Sequence, residues 1–275
     1  MRRFLGGIRR PLRAIGAPPP APTVERTDSW FWDHYEKAAG EVISLVEKYS
    51  RPFEGAAVAD IGCGDGITDL GLAVRTGARR VVGFDLNEVD VDLLLRKAVD
   101  QEIVAALPSN LEFVVSGPEK IPADDASFDI LVTWSAFEHV ANPLGVLREM
   151  RRIVKPDGVL MLQLWPFYFS EHGSHLWDWF PNGFAHLTLD HDALEDQVRA
   201  SDRHDDGWTE YMLAEFATLN RVTLDSLGAA IHEAGFSVRY LDIMAGAVHL
   251  PGELEGLPLS SLGITGVQLL AVPRS

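Results

Sequence analysis

The chain has 275 residues, of which 47% are hydrophobic and 23% are charged, and these proportions exclude a protein that is disordered throughout. The formal net charge of −16 argues against nucleic acid as a partner, because such a surface repels phosphate, and the single cysteine fits a reducing compartment. The longest apolar stretch, residues 158–169, is too short to cross a bilayer, so we expect a soluble, cytoplasmic protein without an integral membrane segment.

Residues 1–24 are predicted to form a basic, proline-rich tail without regular structure. Five arginines and no acid fall within residues 1–13, and four prolines lie between positions 18 and 22. A frayed terminus explains this segment best, and weak peripheral contact with a membrane surface is the alternative. Residues 25–275 are predicted to form one domain, in which residues 25–55 show helical spacing and would make an N-terminal cap.

Strands and helices alternate from residue 56 to residue 164, and the strands are apolar along their whole length. The predicted strands cover residues 56–61, 81–85, 111–115, 128–134 and 159–164, and two closing strands cover 236–243 and 266–272. The predicted helices cover residues 68–75, 89–107, 144–154 and 224–234. Continuously apolar strands that alternate with helices predict an α/β protein whose parallel sheet carries helices on both faces.

Residues 166–222 interrupt this alternation after the fifth strand. The segment is rich in Trp, His and Asp, lacks clear strands, and is too long for a plain connection. We therefore predict an inserted lid. Its crowded aromatic side chains would form an apolar pocket, the core of the lid itself, or both.

A glycine-rich loop follows the first strand. Asp60 is succeeded by Gly62, Gly64 and Gly66, and the second strand ends in Asp85. Open α/β sheets bind ligands at the carboxyl ends of their strands, and bare glycine backbone lets a ligand approach closely. The spacing differs from the G-x-G-x-x-G loop of dinucleotide sites. A carboxylate at Asp60 suits a positively charged group, and one at Asp85 can accept both hydroxyls of a ribose.

In these residues the sequence resembles the class I S-adenosylmethionine-dependent methyltransferases, over roughly residues 56–165. The resemblance implies a Rossmann-like, seven-stranded, mostly parallel sheet whose last strand is antiparallel, and it implies S-adenosylmethionine as the cofactor. The cofactor-binding residues that it implies are Asp60, Gly62, Cys63, Gly64, Gly66, Asp85, Leu86, Gly117, Pro118, Glu119, Trp134, Ser135 and His139. The family often has an acid where this chain has Gly117, so backbone groups or Glu119 would frame the adenine here.

Candidate proton acceptors lie after the fourth and fifth strands. His172 or His175 could take a proton from an acceptor hydroxyl, with Glu171 or Asp178 orienting the imidazole. His139 could line the cofactor site or act as the base. A metal site that contains His172, His175 and Asp178 at a spacing of three is the alternative, and we expect no metal ion.

The sequence thus predicts an enzyme that moves a methyl group from S-adenosylmethionine to a small organic acceptor, with oxygen as the favoured target. Methylation of nitrogen or carbon, or of a sugar or lipid at a membrane surface, is the alternative within the same class. In a different class, the chain would be a non-catalytic S-adenosylmethionine-binding assembly protein, and an NAD-dependent reductase is a third alternative. The sequence leaves the oligomeric state open.

Overall fold

The computed structural model describes residues 28–274, so the tail predicted for residues 1–24 lies outside the described residues. One seven-stranded sheet has the order β3-β2-β1-β4-β5-β7-β6. Its strands are β1 (Ala57–Ile61), β2 (Arg80–Asp85), β3 (Leu111–Val115), β4 (Phe128–Trp134), β5 (Val154–Leu164), β6 (Phe236–Ala245) and β7 (Ile264–Pro273). The first five strands pair in parallel, and β7 is antiparallel to β5 and β6. The predicted sheet and its reversed last strand are confirmed.

Helices cover both faces of the sheet. A π-helical turn (Asp33–Ala38) joins α1 (Ser29–Trp32) to α2 (Ala39–Tyr49). The other helices are α3 (Ile67–Arg75), α4 (Val91–Asp100), α5 (Pro143–Ile153), α6 (Ala185–Thr188), α7 (His191–Arg199), α8 (Asp206–Thr218), α9 (Leu224–Glu233) and α10 (Leu259–Gly263). The side chains of Asp28, Asp90, Asn142, Asp205 and Thr223 accept backbone N–H groups and begin α1, α4, α5, α8 and α9. No helix among residues 28–274 combines the length and the apolar character that crossing a bilayer requires.

The sheet is buried on both faces because successive side chains of a strand point to opposite sides. In β1, Ala57 and Ala59 belong to the apolar cluster that includes Leu147 of α5. Val58, between them, belongs to the cluster on the other face, which includes Leu72 of α3. The uninterrupted apolar strands of the sequence follow from this double burial.

Two predicted boundaries are wrong. The helix predicted for residues 89–107 ends at Asp100, because Glu102 adopts a left-handed conformation with φ of +57°. The strand predicted from residue 159 already begins at Val154, which pairs with Phe128. Residues 155–158, which read as a turn, form an irregularity within β5.

The insertion between β5 and α9 contains α6, α7 and α8, and no strand is present among its residues. Eight of its buried apolar residues form a cluster of their own: Tyr168, Leu176, Ala185, Leu194, Val198, Met212, Leu213 and Phe216. This cluster is separate from the two that flank the sheet. The aromatic density predicted for this segment therefore builds a small core, and the role of the segment as a lid stays a prediction.

Candidate active site

The loop after β1 is joined to the tip of β2. Gly62 has a φ of +83°, and a Cβ atom there would lie 2.5 Å from the Cβ of Ala136, so only glycine fits. The backbone N–H of Gly64 donates to Oδ2 of Asp85 over 3.0 Å, and the N–H of Asn87 donates to Oδ1 over 3.0 Å. The structure thus brings together the loop and the second acid that the sequence selects.

Two buried acids lie behind this loop. Asp60 is 2% exposed and Asp69 is fully buried. Oδ1 of Asp60 and both carboxylate oxygens of Asp69 have no hydrogen-bond partner among residues 28–274. Burial, together with the charge of Asp85, raises the pKa of Asp60 to about 7, and burial beside Asp60 raises that of Asp69. A cationic group placed here would be stabilised.

Asp69 was not among the predicted site residues. An acid within a mostly apolar helix that follows a glycine loop is the sequence pattern that marks it, since Ile67, Leu70 and Leu72 around it are all buried. A charged residue inside such a buried helix is unusual unless something pairs with it.

The remaining predicted cofactor residues lie along the same edge of the sheet. Leu86 is exposed directly after β2, and Gly117, Pro118 and Glu119 are exposed after β3. The backbone N–H of Ser116 donates to the carbonyl of Asp85 over 2.7 Å and holds these two strand ends together. The loop after β1, the end of β2 and the segment after β3 are therefore neighbours.

Cys63 faces inward. Its side chain is buried, and a Cβ atom at Gly83 of β2 would lie 2.8 Å from its sulfur. Burial raises the pKa of the Cys63 thiol, which keeps it protonated and unreactive. Any contact of Cys63 with a ligand would come from its backbone.

The tip of β4 is bonded to β5. Trp134 is half-buried, and Ser135 after it has a φ of +46°. The hydroxyl and the backbone N–H of Ser135 donate to Oε1 of Gln163 over 2.9 and 2.8 Å. These bonds fix the direction in which the chain leaves β4 toward the next loop.

The N-terminal helix contacts the glycine loop. The indole Nε1–H of Trp30 donates to Oδ2 of Asp65 over 2.8 Å. Phe31 and Tyr35 pack with Ile67 in one buried cluster. The cap predicted for residues 25–55 is thus attached to the loop that follows β1.

A further buried acid, Glu138, follows β4. Glu138 is 2% exposed, and neither of its carboxylate oxygens has a hydrogen-bond partner among the described residues. Burial, with a contribution from the charge of Glu215, raises the pKa of Glu138 to about 8. The sequence does not predict that Glu138 is buried, because this residue stands in a short connection where acids are ordinarily solvated.

His139, the next residue, is held in one tautomer. Its Nδ1 lies 2.7 Å from the hydroxyl of Thr218, and that hydroxyl donates to the carbonyl of Glu215 over 2.8 Å. The hydroxyl has one proton, so it accepts from Nδ1–H and leaves a lone pair on Nε2 of His139. Nε2 lies 3.4 Å from Oε2 of Glu215. Burial lowers the pKa of His139.

His175 of the insertion meets His139. The two rings are edge to face with centroids 5.2 Å apart, and His175 has a φ of +63°. Nε2 of His175 has no hydrogen-bond partner within the described part of the chain. Burial, with the neighbouring His139 and His186, lowers the pKa of His175 to about 3.

His172 and Asp178 take other partners. Residues 171–180 form turns and not a helix, so a spacing of three does not place their side chains on one face. Nε2 of His172 lies 3.8 Å from Oε2 of Glu171, whereas Asp178 accepts from Nε2 of His204 over 3.1 Å. Among the described residues the metal alternative built from His172, His175 and Asp178 is therefore not assembled.

An aromatic row runs from β5 to the loop after β4. Its members are Trp165, Trp177, His175 and His139, and adjacent ring centroids are 5.9, 5.9 and 5.2 Å apart. Both indoles are exposed. Exposed aromatic faces beside buried polar groups are suited to binding a flat or apolar molecule with a polar end.

Asn220, at the end of the insertion, clamps the loop after β4. Its side-chain amide donates to the carbonyls of Phe137 and Val140 over 2.8 and 3.0 Å. Its backbone N–H donates to the carbonyl of Glu138 over 2.7 Å. The insertion and the tip of β4 are therefore joined by three hydrogen bonds from a single residue.

Comparisons with known proteins agree with this geometry. Residues 59–162 match the family model described as a methyltransferase domain. The ubiquinone biosynthesis O-methyltransferase of Maricaulis maris (strain MCS10) is 34% identical over 111 residues, which cover 40% of this chain and 41% of that protein. The chain spans between 33% and 41% of the length of the first three curated relatives that it matches.

Solved structures extend the likeness beyond the matched domain. A putative S-adenosylmethionine-dependent methyltransferase from Listeria monocytogenes has a TM-score of 0.54 at 19% identity and covers 87% of this chain and 99% of its own. The [4+2]-cyclase SpnF also has a TM-score of 0.54, at 16% identity, with coverage of 87% and 82%. At such identities the likeness shows the fold alone. The family match, the strand order and the loop after β1 lead to one conclusion: residues 59–162 of this chain form a methyltransferase domain with the class I fold, and S-adenosylmethionine is the cofactor of that domain.

Proposed function

We propose that this protein transfers the methyl group of S-adenosylmethionine to an oxygen atom of a small organic acceptor. The observation that carries the proposal is the position of Asp60 and Asp85 at neighbouring strand tips around a bare-backbone loop. The sequence likeness to O-methyltransferases of ubiquinone biosynthesis supports oxygen as the target. The insertion, residues 166–222, would bind the acceptor.

The residues present fit the cofactor. The unpartnered Oδ1 of Asp60 is suited to the ammonium group of the methionine part, and Asp85 is suited to the ribose hydroxyls. The exposed segment 117–119 would frame the adenine. When bound, S-adenosylmethionine supplies a methyl group on a sulfonium sulfur, and the sulfur keeps the C–S electron pair as the acceptor oxygen bonds to the methyl carbon.

The chain's contribution to this reaction is alignment. A methyl transfer of this kind needs the acceptor oxygen held in line with the bond that breaks. The exposed indoles of Trp165 and Trp177 would hold the body of the acceptor, which directs its hydroxyl toward the buried polar groups at His175. This arrangement favours an acceptor with a flat or apolar body.

We assign His172 as the group that takes the acceptor's proton. His175, with a pKa lowered to about 3, is a weak base, and the pKa of His139 is lowered as well. The carboxylate of Glu171, 3.8 Å from Nε2 of His172, would stabilise the imidazolium that forms.

The test is methyl transfer by the purified full chain against a panel of hydroxylated aromatic and aliphatic metabolites, followed by product mass and S-adenosylhomocysteine release. We expect an O-methylated product. His172→Asn should lower kcat by about 100-fold or more without changing cofactor affinity. His191→Asn is the matched control, because this exposed histidine contacts its helix neighbour Glu195 and the ring of Phe216 on α8, and neither residue belongs to the candidate site.

The other outcomes separate the alternatives. Cofactor binding without turnover on any acceptor would contradict the proposal and favour a non-catalytic assembly protein. A methyl group found on nitrogen or carbon would contradict oxygen as the target. Turnover only with vesicle-bound lipid or sugar would favour the membrane-surface alternative. The cytoplasm stays a prediction.

A further inference from the structure

We propose that Glu138, His139 and His175 bind a divalent transition-metal ion of the Zn²⁺ class. One ligand atom from each of these residues lies within 4.8 Å of the other two. Two imidazole nitrogens and one carboxylate oxygen form a donor set that suits Zn²⁺ and leaves a coordination position open. The sequence does not predict this site, because His139 and His175 are 36 positions apart and only the fold brings them together.

The buried carboxylate is the first argument. Glu138 is 2% exposed, and both of its oxygens lack a hydrogen-bond partner within residues 28–274. A buried carboxyl group without partners is costly, and a coordinated cation removes that cost by replacing both water and hydrogen-bond donors. Nε2 of His175 is equally without a described partner, and one ring nitrogen of His175 belongs to the same group of three ligand atoms.

The tautomer of His139 is the second argument. Thr218 fixes the proton on Nδ1, which leaves the lone pair of Nε2 only 3.4 Å from the carboxylate of Glu215. A lone pair directed toward a carboxylate is unfavourable unless a proton or a metal cation lies between the two groups, and a metal cation also accounts for the unpartnered oxygens of Glu138. Histidine ligands in metal sites ordinarily donate their other N–H to such a partner, so Thr218 has the place of an orienting residue.

The proposed site joins two parts of the fold. Glu138 and His139 follow β4, whereas His175 belongs to the insertion. Asn220 holds these parts together through its bonds to the loop after β4. The carboxylate of Glu215 on α8 adds negative charge beside Nε2 of His139 and offers a further ligand or a partner for bound water.

The role of the ion rests on the proposed function. An acceptor oxygen that occupied the open position would lose its proton more readily, because the cation stabilises the resulting alkoxide. The proton would pass to His172, and the alkoxide would keep the electron pair that forms the new bond to carbon. His139 and His175 would then act as ligands and not as bases.

The experiment measures metal binding by the chelator-treated full chain, without cofactor or acceptor. We expect Zn²⁺ titrated against a chromophoric chelator to give one bound ion per chain. Glu138→Gln and His175→Asn should each lower the Zn²⁺ affinity by more than about 100-fold, and Thr218→Val by about tenfold. His191→Asn, which changes an exposed histidine on α7, should leave the affinity unchanged.

Two further readouts keep the test decisive. Circular dichroism and S-adenosylmethionine affinity report whether each variant folds. If Glu138→Gln does not fold, Co²⁺ bound to the native chain should show the strong visible absorption of a tetrahedral site. Native protein that binds neither ion, or folded variants that bind Zn²⁺ like the native chain, would overturn the proposed site. Because no methyl transfer is measured, these results do not depend on the proposed function.

Discussion

The carboxylate of Asp85 accepts the backbone N–H of Gly64 over 3.0 Å, so the acid at the tip of β2 holds the shape of the loop after β1. The N–H of Asn87 holds the other carboxylate oxygen at the same distance. One side chain would therefore both bind the ribose and keep the loop in its binding conformation. The two roles would be lost together on substitution.

Asp85→Ala should weaken S-adenosylmethionine binding by more than tenfold, or about 1.4 kcal/mol or more, in isothermal calorimetry. Glu112→Ala is the matched control, because this exposed acid on the neighbouring β3 pairs with Arg80 and not with the loop. Unchanged binding by Asp85→Ala would contradict the assignment of the ribose site.

Cofactor binding should release a proton through Asp60. Burial and the nearby Asp85 raise the pKa of Asp60 to about 7, and a bound ammonium group would lower it again. The affinity should therefore rise as the pH increases from about 5.5 to about 7.5, because the ionised carboxylate is the binding form. Calorimetry in buffers of different ionisation enthalpy counts the released proton. Asp60→Asn should abolish the dependence, and a flat profile in the native chain would refute it.

The pair Arg152–Glu149 should stabilise the fold in a pH-dependent way. Nε and Nη2 of Arg152 each donate to Glu149 over 2.9 Å, and the carboxylate is 15% exposed. These bonds lower the pKa of Glu149 to about 2 from its ordinary 4.5. The contribution is complete above about pH 4.5 and is lost as the pH falls toward about 2.

Glu149→Gln should accordingly lower the free energy of unfolding by about 2 kcal/mol at pH 7 in urea titrations. The difference from the native chain should shrink at pH 3. Glu233→Gln, which breaks an exposed pair with Arg148, should have little effect at either pH. An equal loss in both variants would show that burial of the pair is irrelevant.

Trp30→Phe should loosen the glycine loop without unfolding the chain. The substitution removes the 2.8 Å bond to Asp65 but keeps an aromatic ring at a position that is 54% exposed. S-adenosylmethionine affinity should fall by up to about fivefold, near 1 kcal/mol, and thermal stability should change little. Trp208→Phe, on the exposed side of α8, serves as the comparison. If Trp30→Phe binds S-adenosylmethionine as tightly as the native chain does, the N-terminal cap does not contribute to cofactor binding.

The sheet could be predicted because its strands are apolar on both faces. Such runs stand out when glycines or polar turns bound them, as at Ala57–Ile61. The end of α4 could not be predicted, because Ile103, Val104 and Leu107 continue the apolar spacing of the helix. These three residues lie in a loop but pack in the same cluster as the helix. The stop is a left-handed Glu102, and glutamate does not ordinarily mark such a position.

The cofactor edge could be predicted for a related reason. Asp60 and Asp85 are at strand ends, and the topology of a parallel sheet brings strand ends together. The Glu138–His139–His175 cluster could not be predicted, because His175 lies in a segment without regular structure and itself has a left-handed φ. Burial of Glu138 depends on packing between the insertion and the sheet, which local sequence does not encode.

Asn220 has a mechanical consequence for selectivity. Its bonds to the carbonyls of Phe137, Glu138 and Val140 join the base of the insertion to the turn after β4, so a displacement of one would be transmitted to the other. An oversized acceptor that displaced the helices of the insertion would also shift Glu138 and His139 relative to the bound cofactor. Selection against oversized acceptors would then appear as a lower kcat and not only as weaker binding.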